Sequence, residues 1–123
     1  ATIVFSGLGA GVTWGAMVKT TLEAAEKTKY DPEVIDLRTI KPFDRETILE
    51  SVKKTGRLLV VHEATKTGGW GGEIISSVVE KGLKLDKVKR VSAPDVIVSL
   101  LKYEKYYFPD KEEIKKAMDD MAR

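Results

Sequence analysis

The stretch Leu58–Gly82, LLVVHEATKTGGWGGEIISSVVEKG, constrains the fold more than any other part of the chain. It opens on Leu58-Leu59-Val60-Val61, an apolar run too short for a helix and rich in strand formers. Between turn signals, such a run reads as a strand buried on both faces. His62 and Glu63 follow where that strand is expected to surface. A polar, glycine-rich turn from Thr65 to Gly72 then leads into a helix with Ile74, Ile75, Val78 and Val79 on its inner side. Strand, loop and helix in this order are the repeating unit of a parallel α/β sheet. The loop after the strand is where such sheets meet ligands and partners.

Similar units occupy the rest of the chain. Ala1–Phe5 is a short β-branched run and the predicted first strand, and Ser6–Gly11 follows with glycine at alternate positions. Thr13-Trp14-Gly15 leads into a predicted helix from Ala16 to Lys27, with Met17, Val18, Leu22 and Ala25 near helical spacing. Asp31-Pro32 breaks it, and Glu33–Thr39 alternates as a strand that Pro42 ends. Asp44 is placed as the N-cap of the next helix, Phe43 as its hydrophobic staple on Ile48, and Gly56 as its stop. Lys87–Ser92 is a fourth strand, thin in apolar residues and expected near an edge. Val96–Leu101 follows no clear period. Pro109 and an Asp110-x-x-Glu113 capping box announce the last helix, with Ile114, Ala117, Met118 and Met121 as its stripe.

Strands alternating with helices predict an α/β fold, a doubly wound and mainly parallel sheet of four to five strands in a three-layer α/β/α sandwich. Right-handed crossovers favour the flavodoxin-like order 2-1-3-4. In that order the Ser6–Gly11 loop is expected beside the His62–Gly72 loop, at the point where the winding reverses. Residues 1–123 suffice for one domain with a sizeable core. With no cysteine, disulfides, thiol catalysis and thiolate metal sites are excluded. No run of roughly 20 apolar residues offers a membrane span, and no signal peptide is visible, so a cytoplasmic chain is expected. Basic and acidic residues number 21 and 19 and are interspersed, which leaves no concentrated basic face for nucleic acid.

Three groups of residues carry candidate chemistry. Ser6, Gly7, Gly9, Gly11 and Thr13 could form a backbone cradle for an anion, because they lie between a predicted strand and helix. Their spacing is neither the dinucleotide fingerprint nor a P-loop, and a plain turn or bulge is the competing reading. His62 is the only histidine, which excludes a metal site with several imidazoles. Glu63 beside it invites acid–base chemistry, but adjacent strand residues point to opposite faces. A structural role for His62 is therefore the stronger reading. Trp70, Tyr106 and Tyr107, together with Trp14, Tyr103 and Phe108, supply aromatic surface that either caps the core or anchors an interface.

The run VIDLRTIKPFDRETILESVKKTGRLLVVHEATKTGGWGGEI resembles the C-terminal domain of the E1 β subunit of thiamine-diphosphate-dependent 2-oxo acid dehydrogenases, the pyruvate and branched-chain type. Asp36-Leu-Arg-Thr-Ile-Lys-Pro-Phe-Asp44, Val61-His-Glu-Ala64 and Thr67-Gly-Gly-Trp-Gly-Gly-Glu73 are each characteristic of that family. Trp14–Met17, Arg90–Asp95 and Tyr107–Asp110 extend the similarity over nearly the whole chain. The resemblance implies a transketolase C-terminal-domain fold, and a chain that forms one domain of a larger oxidoreductase subunit. It implies pairing with E1 α and with a second E1 β subunit, and docking of the E2 subunit-binding domain. Thiamine diphosphate and Mg²⁺ belong, by the same resemblance, to the full enzyme, and no residue here receives a catalytic or metal-binding role. One departure stands out. Phe5–Gly11 looks like extra material between the first strand and the Thr13-Trp14-Gly15 turn. It keeps open the alternative of a flavodoxin-like module binding a phosphate-bearing ligand through Gly7–Gly11.

Overall fold

A computed structural model describes residues 9–97 and 104–122. Four parallel strands form one sheet: β1 (Ala10–Thr13), β2 (Glu33–Asp36), β3 (Arg57–Thr65) and β4 (Lys87–Ala93). Their order is β2-β1-β3-β4, as expected from the doubly wound pattern. Helices α1 (Met17–Lys27), α2 (Arg45–Thr55) and α3 (Trp70–Glu80) make the crossovers. After β4 come a single helical turn, α4 (Glu104–Tyr107), and the closing helix α5 (Lys111–Met121).

Alternation along the strands divides the core into two layers. Leu58 and Val60 of β3 join Val12, Ile48, Val52, Ile74 and Val78 beneath α2 and α3. Leu59 and Val61 face the other way and meet Met17, Ala24, Val91, Ile114 and Met118 beneath α1 and α5. β4 is an edge strand, and Val88 on it is exposed, consistent with its thin apolar content.

Local signals set the helix ends. Asp44 accepts a hydrogen bond from the Thr47 N–H at 3.2 Å and caps α2. Gly56 closes that helix in the left-handed region at φ 68°, where a side chain would be strained. Asp110 accepts from the Glu113 N–H at 2.9 Å and caps α5. α2 is also tied to β2 by the buried Glu33 carboxylate, which accepts from the Ser51 hydroxyl and, at 2.6 Å, from Lys54 Nζ.

Two expectations change. The predicted strand Ala1–Phe5 lies outside the described residues, as do Ser6 and Gly7, and the strand that runs into Trp14 is Ala10–Thr13. Gly11 and Thr13 are therefore strand residues and not part of a loop after it. Gly11 sits opposite Val34 and Leu59, in a register that only sheet pairing could select. No extra loop separates this strand from the Trp14 turn. The second correction concerns β3, which continues past Val61 to Thr65, so that His62 and Glu63 are strand residues.

Candidate functional site

The winding reverses between β1 and β3, so their C-terminal ends frame the place where a doubly wound sheet offers a site. β1 ends at Thr13, and the turn that follows carries Trp14 and Gly15, the latter at φ 61°. Across from it, β3 carries His62. The Trp14 and His62 rings stack, with centroids 5.5 Å apart and planes 22° from parallel. Phe43 and Trp70 meet edge to face nearby in the same core layer, at 6.4 Å. Aromatic rings occupy this end of the sheet.

His62 is only 1% exposed. Its Nδ1 lies 3.1 Å from the Ala64 carbonyl oxygen, which can only accept, so Nδ1 carries the proton. Its Nε2 is buried and has no hydrogen-bond partner among the described residues. The ring is packed against the start of α3. A Cβ added at Gly71 would lie 2.9 Å from Nε2, and one at Gly69 would lie 2.7 Å from Cε1. The glycines of this turn leave room for an imidazole. Burial pushes the His62 pKa down, the Ala64 hydrogen bond opposes this, and the positive charge of Arg90 adds to the lowering. Glu63 is exposed on the opposite face, as strand geometry dictates. The two side chains therefore do not form an acid–base pair.

The glycine-rich turn is held from the β4 side. Arg90 Nη1 donates to the Lys66 carbonyl at 3.0 Å. Asp95 accepts from the Thr67 N–H at 2.9 Å and from its hydroxyl at 2.5 Å. Those bonds hold the Asp95 carboxyl below the usual carboxylate range. Neither Arg90 nor Asp95 stood out as a site residue in the sequence. Their spacing of five, at the end of an edge strand facing the turn after β3, is a signal only once the strand order is known.

Of the residues proposed as an anion cradle, Gly9, Gly11 and Thr13 are described, while Ser6 and Gly7 lie outside the described residues. Gly9 lies where the chain enters β1, with its Cβ position 3.5 Å from Arg57 at the start of β3. That is the N-terminal end of the sheet, opposite the His62 turn. Thr13 is wholly buried and accepts a long, 3.5 Å hydrogen bond from the Thr21 hydroxyl of α1. Among the aromatic candidates, Trp70 is half-buried, and its Nε1 has no partner among the described residues. Tyr107 is buried against Phe108, while Tyr106 is 73% exposed. Tyr103 lies outside the described residues. Among the described residues, no group of three His, Cys, Asp or Glu side chains could hold a metal ion.

Comparison with known proteins follows the same outline as the fold. The family model described as "Transketolase, C-terminal domain" matches residues 12–114. The chain belongs to the transketolase C-terminal domain family. Within it, the chain is 45% identical over 117 residues to the mitochondrial 2-oxoisovalerate dehydrogenase subunit beta of Dictyostelium discoideum, covering 87% of this chain and 31% of that protein. It is 42% identical over 108 residues to the pyruvate dehydrogenase E1 component subunit beta of Staphylococcus aureus, covering 84% of this chain and 33% of that protein. A solved structure titled split gene transketolase, inactive beta4 tetramer, superposes with a TM-score of 0.82 at 28% identity, covering 99% of this chain and 41% of the other. The resemblance to E1 β subunits, first carried by the Asp36–Asp44 and Thr67–Glu73 motifs, is borne out. The chain spans about a third of the length of these two curated relatives.

Proposed function

We propose that this chain serves as the C-terminal assembly domain of an E1 β subunit of a 2-oxo acid dehydrogenase. In this reading it is one domain of a longer oxidoreductase subunit, non-catalytic by itself, and it pairs with a second β subunit. The other expected contacts are E1 α and the E2 subunit-binding domain. The observation that carries the reading is the 45% identity to a 2-oxoisovalerate dehydrogenase β subunit, which covers 87% of this chain. The filled end of the sheet supports it, because Trp14, His62, Phe43 and Trp70 take up space that a cofactor pocket would need. A structural relative described as a β4 tetramer supports self-pairing.

Thiamine diphosphate and Mg²⁺ are implied, by family resemblance, for the full enzyme. In this reading decarboxylation rests on the other domains of that enzyme. No helix among the described residues is long and apolar enough to cross a membrane, and the proposed location is the compartment of the parent enzyme, cytoplasmic in a bacterium.

Sedimentation equilibrium and calorimetry test this reading together. The chain should self-associate as its concentration rises, and thiamine diphosphate with Mg²⁺ should give no heat of binding. A strict monomer at all concentrations would overturn the pairing role, and saturable cofactor binding would overturn the non-catalytic one.

A further inference from the structure

The single histidine is the least explained side chain of the fold. It lies at an irregularity in the sheet: the β3–β4 register shifts between Val61 and Thr65, so four steps along β3 pass two along β4. Such bulges re-aim a side chain. Here the ring is turned under the first turn of α3, against Gly69 and Gly71, with Trp14 stacked on it.

The protonation state of this ring has consequences. With Nδ1–H donated to Ala64, Nε2 presents a lone pair toward the start of α3. The N-cap, Gly69, supplies no side-chain acceptor, and the first backbone N–H groups of a helix form its positive end. A lone pair is compatible with that setting. A second N–H carrying positive charge is not, since Nε2 has no acceptor among the described residues.

We infer that His62 is a proton-operated clasp. As a neutral ring it holds residues 65–72 and the Trp14 turn closed over the C-terminal end of the sheet, and protonation at Nε2 releases both. The charged groups around it reinforce this direction. Arg90 of β4 faces the ring and disfavours a second positive charge. Lys66 in the turn, Glu73 in the first turn of α3 and Glu63 on the far face of β3 are exposed to solvent. The Trp14 turn brings no ionisable group.

The sign follows from the lowered pKa of the folded state. The closed arrangement is fully favoured above the ordinary histidine value of 6.5 and is lost as pH falls through the lower, folded value. This device is a property of the chain and does not rest on the assembly reading.

With one histidine in the sequence, a single imidazole Cε1–H resonance reports its titration in the unmodified protein. The expected midpoint lies below 6.5. Tryptophan emission should change with the same midpoint, and amide exchange at residues 70–72 should accelerate about tenfold or more, while far-UV circular dichroism stays constant. Trp14→Phe should reduce the emission change to the share that Trp70 reports and leave the imidazole titration in place. His62→Gln should remove the emission and exchange steps. A ring titrating at or above 6.5, emission and exchange flat through the ring's own titration, or global unfolding at the same midpoint would each overturn the clasp. If His62→Gln fails to fold, the resonance, emission and exchange of the unmodified chain decide alone.

Discussion

Gly71 shows how much of this site is set by the absence of atoms. It sits in the first turn of α3, where alanine is ordinarily preferred over glycine by about 1 kcal/mol. A methyl group there would meet His62 Nε2 at 2.9 Å, Cδ2 at 3.0 Å and Val60 Cγ1 at 3.2 Å. Overpacking a tight core position costs about 1–3 kcal/mol, so it outweighs the propensity gain. Gly71→Ala is expected to destabilise the chain by about 1 kcal/mol in urea unfolding. In a His62→Ala background the same change should become neutral or stabilising. An equal penalty in both backgrounds would show that His62 is not what the glycine accommodates. The sequence displays these glycines plainly, yet on their own they read as a flexible loop. What they accommodate comes from β3, and the burial of that residue depends on the strand continuing through His-Glu-Ala-Thr, a polar run that reads as surface.

Caps and strands differ in how far their causes lie along the chain. Asp44, Gly56 and Asp110 act within four residues of themselves, and each occupies the role its spacing predicts. β1 is the opposite case. Ala1–Phe5 has the stronger strand composition, yet Ala10–Thr13 pairs with both β2 and β3. A four-residue strand containing Gly11 is selected by its neighbours, through pairing with β2 on one side and β3 on the other. Composition cannot carry that information, because pairing is long-range. The caps permit a quantitative test. Asp44→Ala and Asp110→Ala should each lower stability by about 1 kcal/mol. α2 and α5 pack on opposite faces of the sheet, so the double variant should lose the sum to within about 0.5 kcal/mol. Marked non-additivity would mean that the two caps are energetically coupled through the sheet.

The strand order β2-β1-β3-β4 was legible because strands and helices alternate and crossovers are right-handed, and that order fixes which loops meet. What alternation could not reveal is which surface the folded domain leaves uncovered. Beyond β4, Val96 is 58% and Ile97 94% exposed, and Tyr106 ahead of α5 is 73% exposed. The Val96 and Ile97 side chains contribute little to the fold of a single chain, so a polar replacement at either should leave unfolding free energy nearly unchanged. If a second copy covers Ile97, burying that side chain is worth about 1.5–3 kcal/mol at the interface. Ile97→Asp should therefore weaken self-association by about tenfold to a hundredfold in sedimentation equilibrium, with an unaltered urea midpoint. A lowered midpoint would show that Ile97 packs within its own chain. Unchanged association would place the pairing surface elsewhere, with Val79 of α3 and Val88 of β4, both exposed on the α3 face of the sheet, as the next positions to replace.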